Sequence, residues 1–216
     1  MLGIASSLLA GLGVTLQVTF GAALLAVVIA LAAGLARLSR WRMLRLPAIV
    51  YIEVFRGTSA LVQLFWFYFV LPHFGLELSA MTVGIVVLAL NTGAYGAEVV
   101  RGAIQAVPRG QREAALALNL TPRQRMTRIV LPQALPAMLP PAGNLAIELL
   151  KNTALVSLVT ITDLTFRAQV LRAETLETEA IFGTVLLMYF AVALAITAGV
   201  RLLERAVTAG RETAAR

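Results

Sequence analysis

The chain has 216 residues, 59% of them hydrophobic and only 13% charged, with a net charge of +7 and a mean hydropathy of +0.85. A soluble domain holds about 45–50% apolar and about 25% charged residues, so this composition excludes an ordinary soluble globular domain and marks a polytopic membrane protein. With no Cys and the single His73, disulfides, thiol nucleophiles and Cys- or His-based metal clusters are excluded as well, and no metal site is expected.

A helix needs roughly 20 predominantly apolar residues to cross a hydrocarbon core of about 30 Å. Five segments meet this requirement: 12–36, 48–71, 80–100, 134–159 and 181–203. Residues 1–36 contain no ionisable side chain, so the start lacks the positive region of a cleaved signal peptide and reads as a retained first span. The expected fold is an all-α integral membrane domain of five transmembrane helices over residues 12–207, with a polar insert at 110–132 and a tail at 208–216.

The basic residues orient these spans. With the N-terminus outside, Arg37, Arg40, Arg42 and Arg45 fall in one inner loop, Arg101, Arg109, Arg112, Arg123, Arg125 and Arg128 in the next, and Arg201, Arg205, Arg211 and Arg216 at the tail. Fourteen of the 18 Lys and Arg residues are then inside, as the positive-inside rule requires. The positive charge therefore reflects topology and contact with anionic lipid; no soluble basic domain exists to hold a nucleic acid.

The insert divides into two predicted short helices. Gln111 to Leu118 is a run of strong helix formers with Ala114, Ala115 and Leu118 on one side. Asn119 is the expected break, and Thr121, Pro122 and Gln124 then have the arrangement of a capping box with Pro at the first helical position. Such an element presents Glu113 and its neighbouring alanines to the inner compartment, for a partner. The plainer reading, an interfacial linker in which Glu113 pairs with Arg109, fits the spacing equally well.

Here the residues resemble a family. Glu113-Ala114-Ala115, followed by Ile129 and Leu131-Pro132, is similar to the EAA loop of permease subunits in bacterial ABC importers. Tyr51 to Gly57, Leu61 to Gln63, Ala94-Tyr95 with Glu98 and Arg101-Gly102, and Lys151 with Thr153 and Leu155 extend the resemblance to the polar amino-acid subgroup over most of residues 10–206. The resemblance implies the type I ABC importer permease fold in a bacterial inner membrane. It also implies a coupling helix, with Gly110, Glu113, Ala114, Ala115, Leu118 and Asn119, that docks into a cytoplasmic ATPase. Two ATPase subunits, a second permease (paralogue or identical copy) and an external solute-binding protein complete the implied assembly. ATP and Mg belong to the ATPases, and no cofactor to this chain. The chain departs from the subgroup in having Asn119 where Gly is usual and Asn152-Thr153-Ala154 where Asp-Thr-Ser is usual. Asn tolerates the left-handed backbone of Gly, so the loop fold is expected to persist. The runs Ala117-Leu118-Asn119, Leu150 to Leu155 and Asp163-Leu164-Thr165 look most like permeases for ectoine and hydroxyectoine.

An ionisable side chain within a span costs at least about 2.5–3.5 kcal/mol at the helix centre and is expected to face protein or water. Helical spacing gathers Glu53, Arg56, Gln63 and Phe67 in the second span, Asn91, Tyr95, Glu98 and Gly102 in the third, and Asn144, Glu148, Lys151 and Leu155 in the fourth. Glu53 with Arg56, and Glu98 with Arg101, read as structural or gating ion pairs. Glu148 and Lys151, in a helix expected to be broken by Pro136, Pro140 and Pro141 and loosened at Gly143, read as a pair lining a translocation path or as an interhelical ion pair. Asn144, Gln63 and Tyr95 join them as path candidates. Phe65, Trp66, Phe67 and Tyr68 read as membrane-interface anchors, or as aromatic faces for a cationic solute.

No Walker A sequence is present, which argues against ATP binding by this chain. The function expected is a pore subunit, not an enzyme, for a small polar or zwitterionic solute: ectoine, hydroxyectoine or a polar amino acid. A self-contained secondary transporter and an intramembrane lipid-modifying enzyme are the alternatives, and neither predicts an EAA-type loop.

Overall fold

Arg37 is the first charged residue of the chain, and it closes the first helix. In the computed structural model, which describes residues 2–214 and the side chains of residues 5–207, α1 runs Leu2–Arg37. The tail at 208–216 thus lies partly outside the described residues, as do the side chains of Arg211 and Arg216. All other regular structure described is also helical: α2 Arg42–Gly57, α3 Ala60–Phe65, α4 Ala80–Ala106, α5 Arg109–Ala117, α6 Pro122–Gln124, α7 Leu131–Asn152, α8 Leu164–Thr175 and α9 Thr178–Ala214. Turns of π-helix at Trp66–Val70 and Arg125–Val130, and of 3-10 helix at Leu71–Phe74 and Thr153–Val159, extend α3, join α6 to α7 and extend α7.

Three stretches are each long and apolar enough to cross a membrane alone: Ala5–Arg37, Ala80–Ala106 and Thr178–Val207. Two bent pairs complete five when each crosses as one unit. Arg42–Gly57 and Ala60–Phe74 turn through 107°, and Pro122–Val159 and Leu164–Thr175 through 55°.

This architecture corrects the sequence reading at four points. The span at 48–71 is not one helix, because Thr58 and Ser59 are extended and Ser59 opens a new helix. Between the spans expected at 134–159 and 181–203 lies a further helix, α8, capped by Asp163, which accepts from the amides of Phe166 and Thr165 at 2.9 and 3.2 Å. The prolines do not break α7, which stays helical from Leu131 to Asn152 through all three. Finally, the second half of the insert is not a separate short helix but the lower end of α7, reached through α6 and the π-helical turn.

The centre of the bundle is α4, packed along α1 and touched by α2, α3 and α7. Small residues let α1 and α4 approach: a Cβ on Gly96 would lie 2.7 Å from the Ala30 Cβ, and one on Gly34 2.9 Å from the Ala97 carbonyl. Gly143 does the same where α7 crosses Val200 of α9, so it marks a helix crossing rather than the loosened hinge expected. The outer face of α9, with Leu186, Leu187, Phe190 and Leu194 exposed, has the apolar surface of a helix bathed in lipid.

Candidate coupling element and translocation path

The insert begins where α4 ends. Val107 and Pro108 leave the helix, and α5 starts at once with Arg109. Two tethers hold α5 to the bundle: the Arg112 guanidinium donates to the Ile104 carbonyl at the end of α4, and the Gln133 amide of α7 donates to the Gln111 side chain at 3.2 Å. Ala115 is buried against the body of the protein, whereas Gly110, Glu113, Ala114 and Leu118 are exposed, Leu118 to 72%. The expected apolar side of α5 is thereby split: Ala115 packs inward while Ala114 and Leu118 face outward with Glu113. An exposed Leu at the tip of a polar helix is a feature that a partner would bury. Glu113 forms no ion pair within 4 Å with Arg109, so the plainer linker reading loses its contact.

Asn119 adopts φ 53°, the left-handed conformation expected of it in place of Gly. The capping box follows as the sequence dictates. The Thr121 hydroxyl accepts from the Gln124 amide at 3.3 Å, and the Gln124 side chain accepts from the Thr121 amide at 2.9 Å.

The charged residues at this end of α1, α2 and α4 form one network, but not with the partners expected. Arg37 donates to Glu98 at 2.5 Å and lies 3.4 Å from Glu53; Arg101 holds the other Glu98 oxygen at 2.8 Å. The Glu98–Arg101 pair forms as read from the spacing, while the Glu53–Arg56 pair does not. Arg56 turns instead to the Tyr95 ring, 5.3 Å from its centroid, and the Tyr95 hydroxyl reaches the Arg56 carbonyl at 3.4 Å. Arg37 ties three helices together although its sequence position reads as that of a loop cation; only its place at the end of a span hints at the role.

Gln63 and Asn91 meet at the break in the second span. The Gln63 amide donates to the Phe55 carbonyl at 2.9 Å and to the Thr58 hydroxyl at 2.7 Å, and its oxygen accepts from Asn91 at 3.1 Å. Asn91 also donates to the Phe55 carbonyl at 3.1 Å. Both side chains are buried and spend their polar groups on the backbone freed by the break, a direct consequence of the need to satisfy buried carbonyls. The stripe through Glu53, Arg56 and Gln63 therefore does not exist as one helical face.

On α7, Asn144, Glu148 and Lys151 stay on one exposed face. Glu148 and Lys151 form no ion pair within 4 Å with each other or with any described residue. Of the four aromatics, Phe65 and Trp66 are exposed, whereas Phe67 and Tyr68 pack against the core, and the Tyr68 hydroxyl lies 3.1 Å from that of Thr160. No group of three or more His, Asp or Glu side chains able to hold a metal ion occurs among the described residues.

A helical bundle with a short exposed helix at one end is the arrangement the resemblance to importer permeases implies. Residues 26–209 match the family described as binding-protein-dependent transport system inner membrane component. The chain is 48% identical over 207 residues to the probable amino-acid ABC transporter permease protein y4tF of Sinorhizobium fredii, covering 93% of this chain and 87% of that one. It is 37% identical to the glutamine transport system permease protein GlnP of Escherichia coli, over 82% of each. Its fold matches a solved structure entitled "Crystal structure of an amino acid ABC transporter with histidines" with a TM-score of 0.88 and 37% identity, over 95% of this chain and 96% of that one. The chain belongs to the binding-protein-dependent transport system inner membrane components: it is a multi-pass permease subunit of an ABC importer and not itself an enzyme. Membership implies partners of two kinds, an ATPase and a solute-binding protein.

Proposed function

We propose that this subunit forms half of the pore of an importer for a small zwitterion, a polar amino acid or a compatible solute such as ectoine. The observation that carries the reading is the uncovered face of α7. An unpaired carboxylate and an unpaired ammonium one turn apart, on an otherwise apolar helix, need a second protein surface or water against them. A pore wall shared with a second permease, identical or paralogous, supplies both. A zwitterion crossing a low-dielectric pore needs each of its charges compensated, and Glu148 and Lys151 offer one of each sign, with Asn144 beside them. Amino acids are named for y4tF, GlnP and the solved structure, which favours that class; the ectoine alternative rests on the runs around Asn119, Asn152 and Asp163. Gln63 and Tyr95 act as braces behind the path rather than on it.

In this reading the N-terminus is external and the C-terminus cytoplasmic, so α5 projects into the cytosol. There Gly110, Glu113, Ala114 and Leu118 dock into one subunit of an ATPase dimer that binds ATP and Mg, with Ala115 and Asn119 setting the shape of the element. The external solute-binding protein delivers the solute at the opposite face. ATP-driven closure of the ATPases then rocks the pore between inward-facing and outward-facing states.

The test is Glu113→Ala in the reconstituted complex. Uptake driven by ATP falls while the permease still inserts in the membrane; unchanged assembly with the ATPase together with unchanged uptake refutes the coupling role. For the path, Glu148→Gln and Lys151→Met each lower solute-stimulated transport while assembly is retained. Wild-type rates for both, over a range of solute concentrations, would make the pair scaffolding.

A further inference from the structure

A pocket of about 290 Å³ lies between α5 and the π-helical turn that leads into α7. Ile104 and Met126 contribute apolar walls, and Gln105, Arg112 and Arg125 bring polar groups to it. The two guanidiniums have no acidic partner. Glu53 and Glu98 face Arg37 and Arg101, and neither Arg112 nor Arg125 lies within 4 Å of any described carboxylate, the exposed Glu113 of α5 included. The Nε atoms of both are buried and without a hydrogen-bond partner. Gln105 adds a third donor. Its side-chain oxygen accepts from the Arg101 guanidinium at 2.7 Å, which fixes the amide and leaves the NH2 group as the end free to donate.

The pocket thus combines two unneutralised cations and an amide donor, with buried N–H groups that lack acceptors. Burial of such groups is unfavourable without an acceptor, and guanidinium forks match the oxygens of phosphate in particular. Arg109, Arg123 and Arg128 lie nearby in sequence against the single Glu113 and leave the local charge balance positive. The pocket sits where the apolar spans give way to the polar insert, the level at which headgroups lie and at which basic pockets between helices capture them.

We propose that this pocket binds a phosphate group through Arg112, Arg125 and Gln105, carried either on an anionic lipid headgroup or on free inorganic phosphate.

The experiment uses the full permease assembled with its ATPase in nanodiscs of phosphatidylcholine, with and without phosphatidylglycerol, and measures the thermal denaturation midpoint. A parallel arm titrates inorganic phosphate into the phosphatidylcholine discs against chloride at equal ionic strength. A rise with phosphatidylglycerol alone identifies a lipid headgroup, and a rise with phosphate alone identifies the free anion; both support the site. Arg125→Gln raises about tenfold the phosphate concentration, or the phosphatidylglycerol fraction, needed for a given shift, the loss of one charge-assisted contact, and the double variant with Arg112→Gln abolishes the response. Arg125→Lys, which keeps the charge but not the fork, retains part of it. Should the arginine variants fail to assemble, Gln105→Leu serves instead: a several-fold weaker response supports the site and a wild-type response refutes it. No shift of the wild-type midpoint in either arm, or an undiminished shift in the double variant, overturns the proposal.

Discussion

Replacing Gln63 by Leu removes the latch across the break between α2 and α3. The side chain is 8% exposed and makes three good hydrogen bonds, at 2.9 Å to the Phe55 carbonyl, at 2.7 Å to the Thr58 hydroxyl and at 3.1 Å from Asn91. Two of the orphaned partners keep other bonds: the Phe55 carbonyl still accepts from Asn91, and the Thr58 hydroxyl still donates to the Val54 carbonyl. Each lost bond is worth about 0.5–1.5 kcal/mol net, toward the lower end between membrane helices, so the substitution costs about 2–3 kcal/mol. At roughly 2–4 °C per kcal/mol for a chain of this size, the denaturation midpoint falls by about 4–12 °C. The shared Gln63–Asn91 bond is isolated by a double-mutant cycle with Asn91→Leu, which reports a coupling of about 1 kcal/mol. Thermal denaturation of the purified permease followed by tryptophan fluorescence makes the measurement. A midpoint unchanged in Gln63→Leu, or strict additivity in the double variant, refutes the account of these residues as braces.

Three further outcomes are expected. Gly96→Val destabilises by about 1–3 kcal/mol because its Cβ meets Ala30 at 2.7 Å, whereas Gly102→Val, facing open space, is stable; comparing their expression and melting separates helix packing from loss of glycine as such. Arg37→Met lowers stability by about 2 kcal/mol, mostly through the bond to Glu98, and a cycle with Glu98→Gln shows the coupling; equal melting of Arg37→Met and wild type rejects the network. Single cysteines at Ser39 and Thr121 of this Cys-free chain are shielded from an impermeant thiol reagent in intact cells, and one at Thr178 is labelled; labelling at Thr121 from outside rejects the orientation.

The sequence revealed the parts of the fold governed by local rules. The capping box at Thr121 and Gln124, the left-handed Asn119, the Glu98–Arg101 pair and the apolar lengths of α1, α4 and α9 all depend on neighbours a few residues away. The parts it concealed depend on distant contacts. The break at Thr58 carries no proline or glycine cluster strong enough to announce it, and it is sustained by Gln63 and by Asn91 from another helix. Pro136, Pro140 and Pro141 would end a helix in water, yet α7 persists because its neighbours pack around it and hold it. α8 was hidden because it is too short to cross a membrane and lies between two spans; Asp163 caps it locally, and its apolar residues pack on α1 and α9. Arg37 and Arg56 found partners on other helices, which helical spacing cannot show. For the exposed face of α7 and the tip of α5, periodicity located the residues, but pairing with other chains lies beyond any one sequence.

The prolines within α7 have a mechanical consequence. Lacking amide hydrogens, Pro136, Pro140 and Pro141 deprive the carbonyls of Pro132, Pro136 and Ala137 of their usual donors, so a stretch midway along the element has few of the bonds that resist flexure. Below this stretch lies the capped start at Thr121, and above it lie Glu148 and Lys151. From Pro122 to Glu148 the rise is roughly 39 Å, and a stiff rod of that length would turn a 5° tilt at its base into a displacement of roughly 3 Å at its top. With fewer bonds in the middle, part of any such tilt is absorbed as curvature, and a push along the axis is transmitted only because α1, α4 and α9 brace the element from the side. A braced strut with a soft middle favours thrust over leverage as the way force passes from one end to the other.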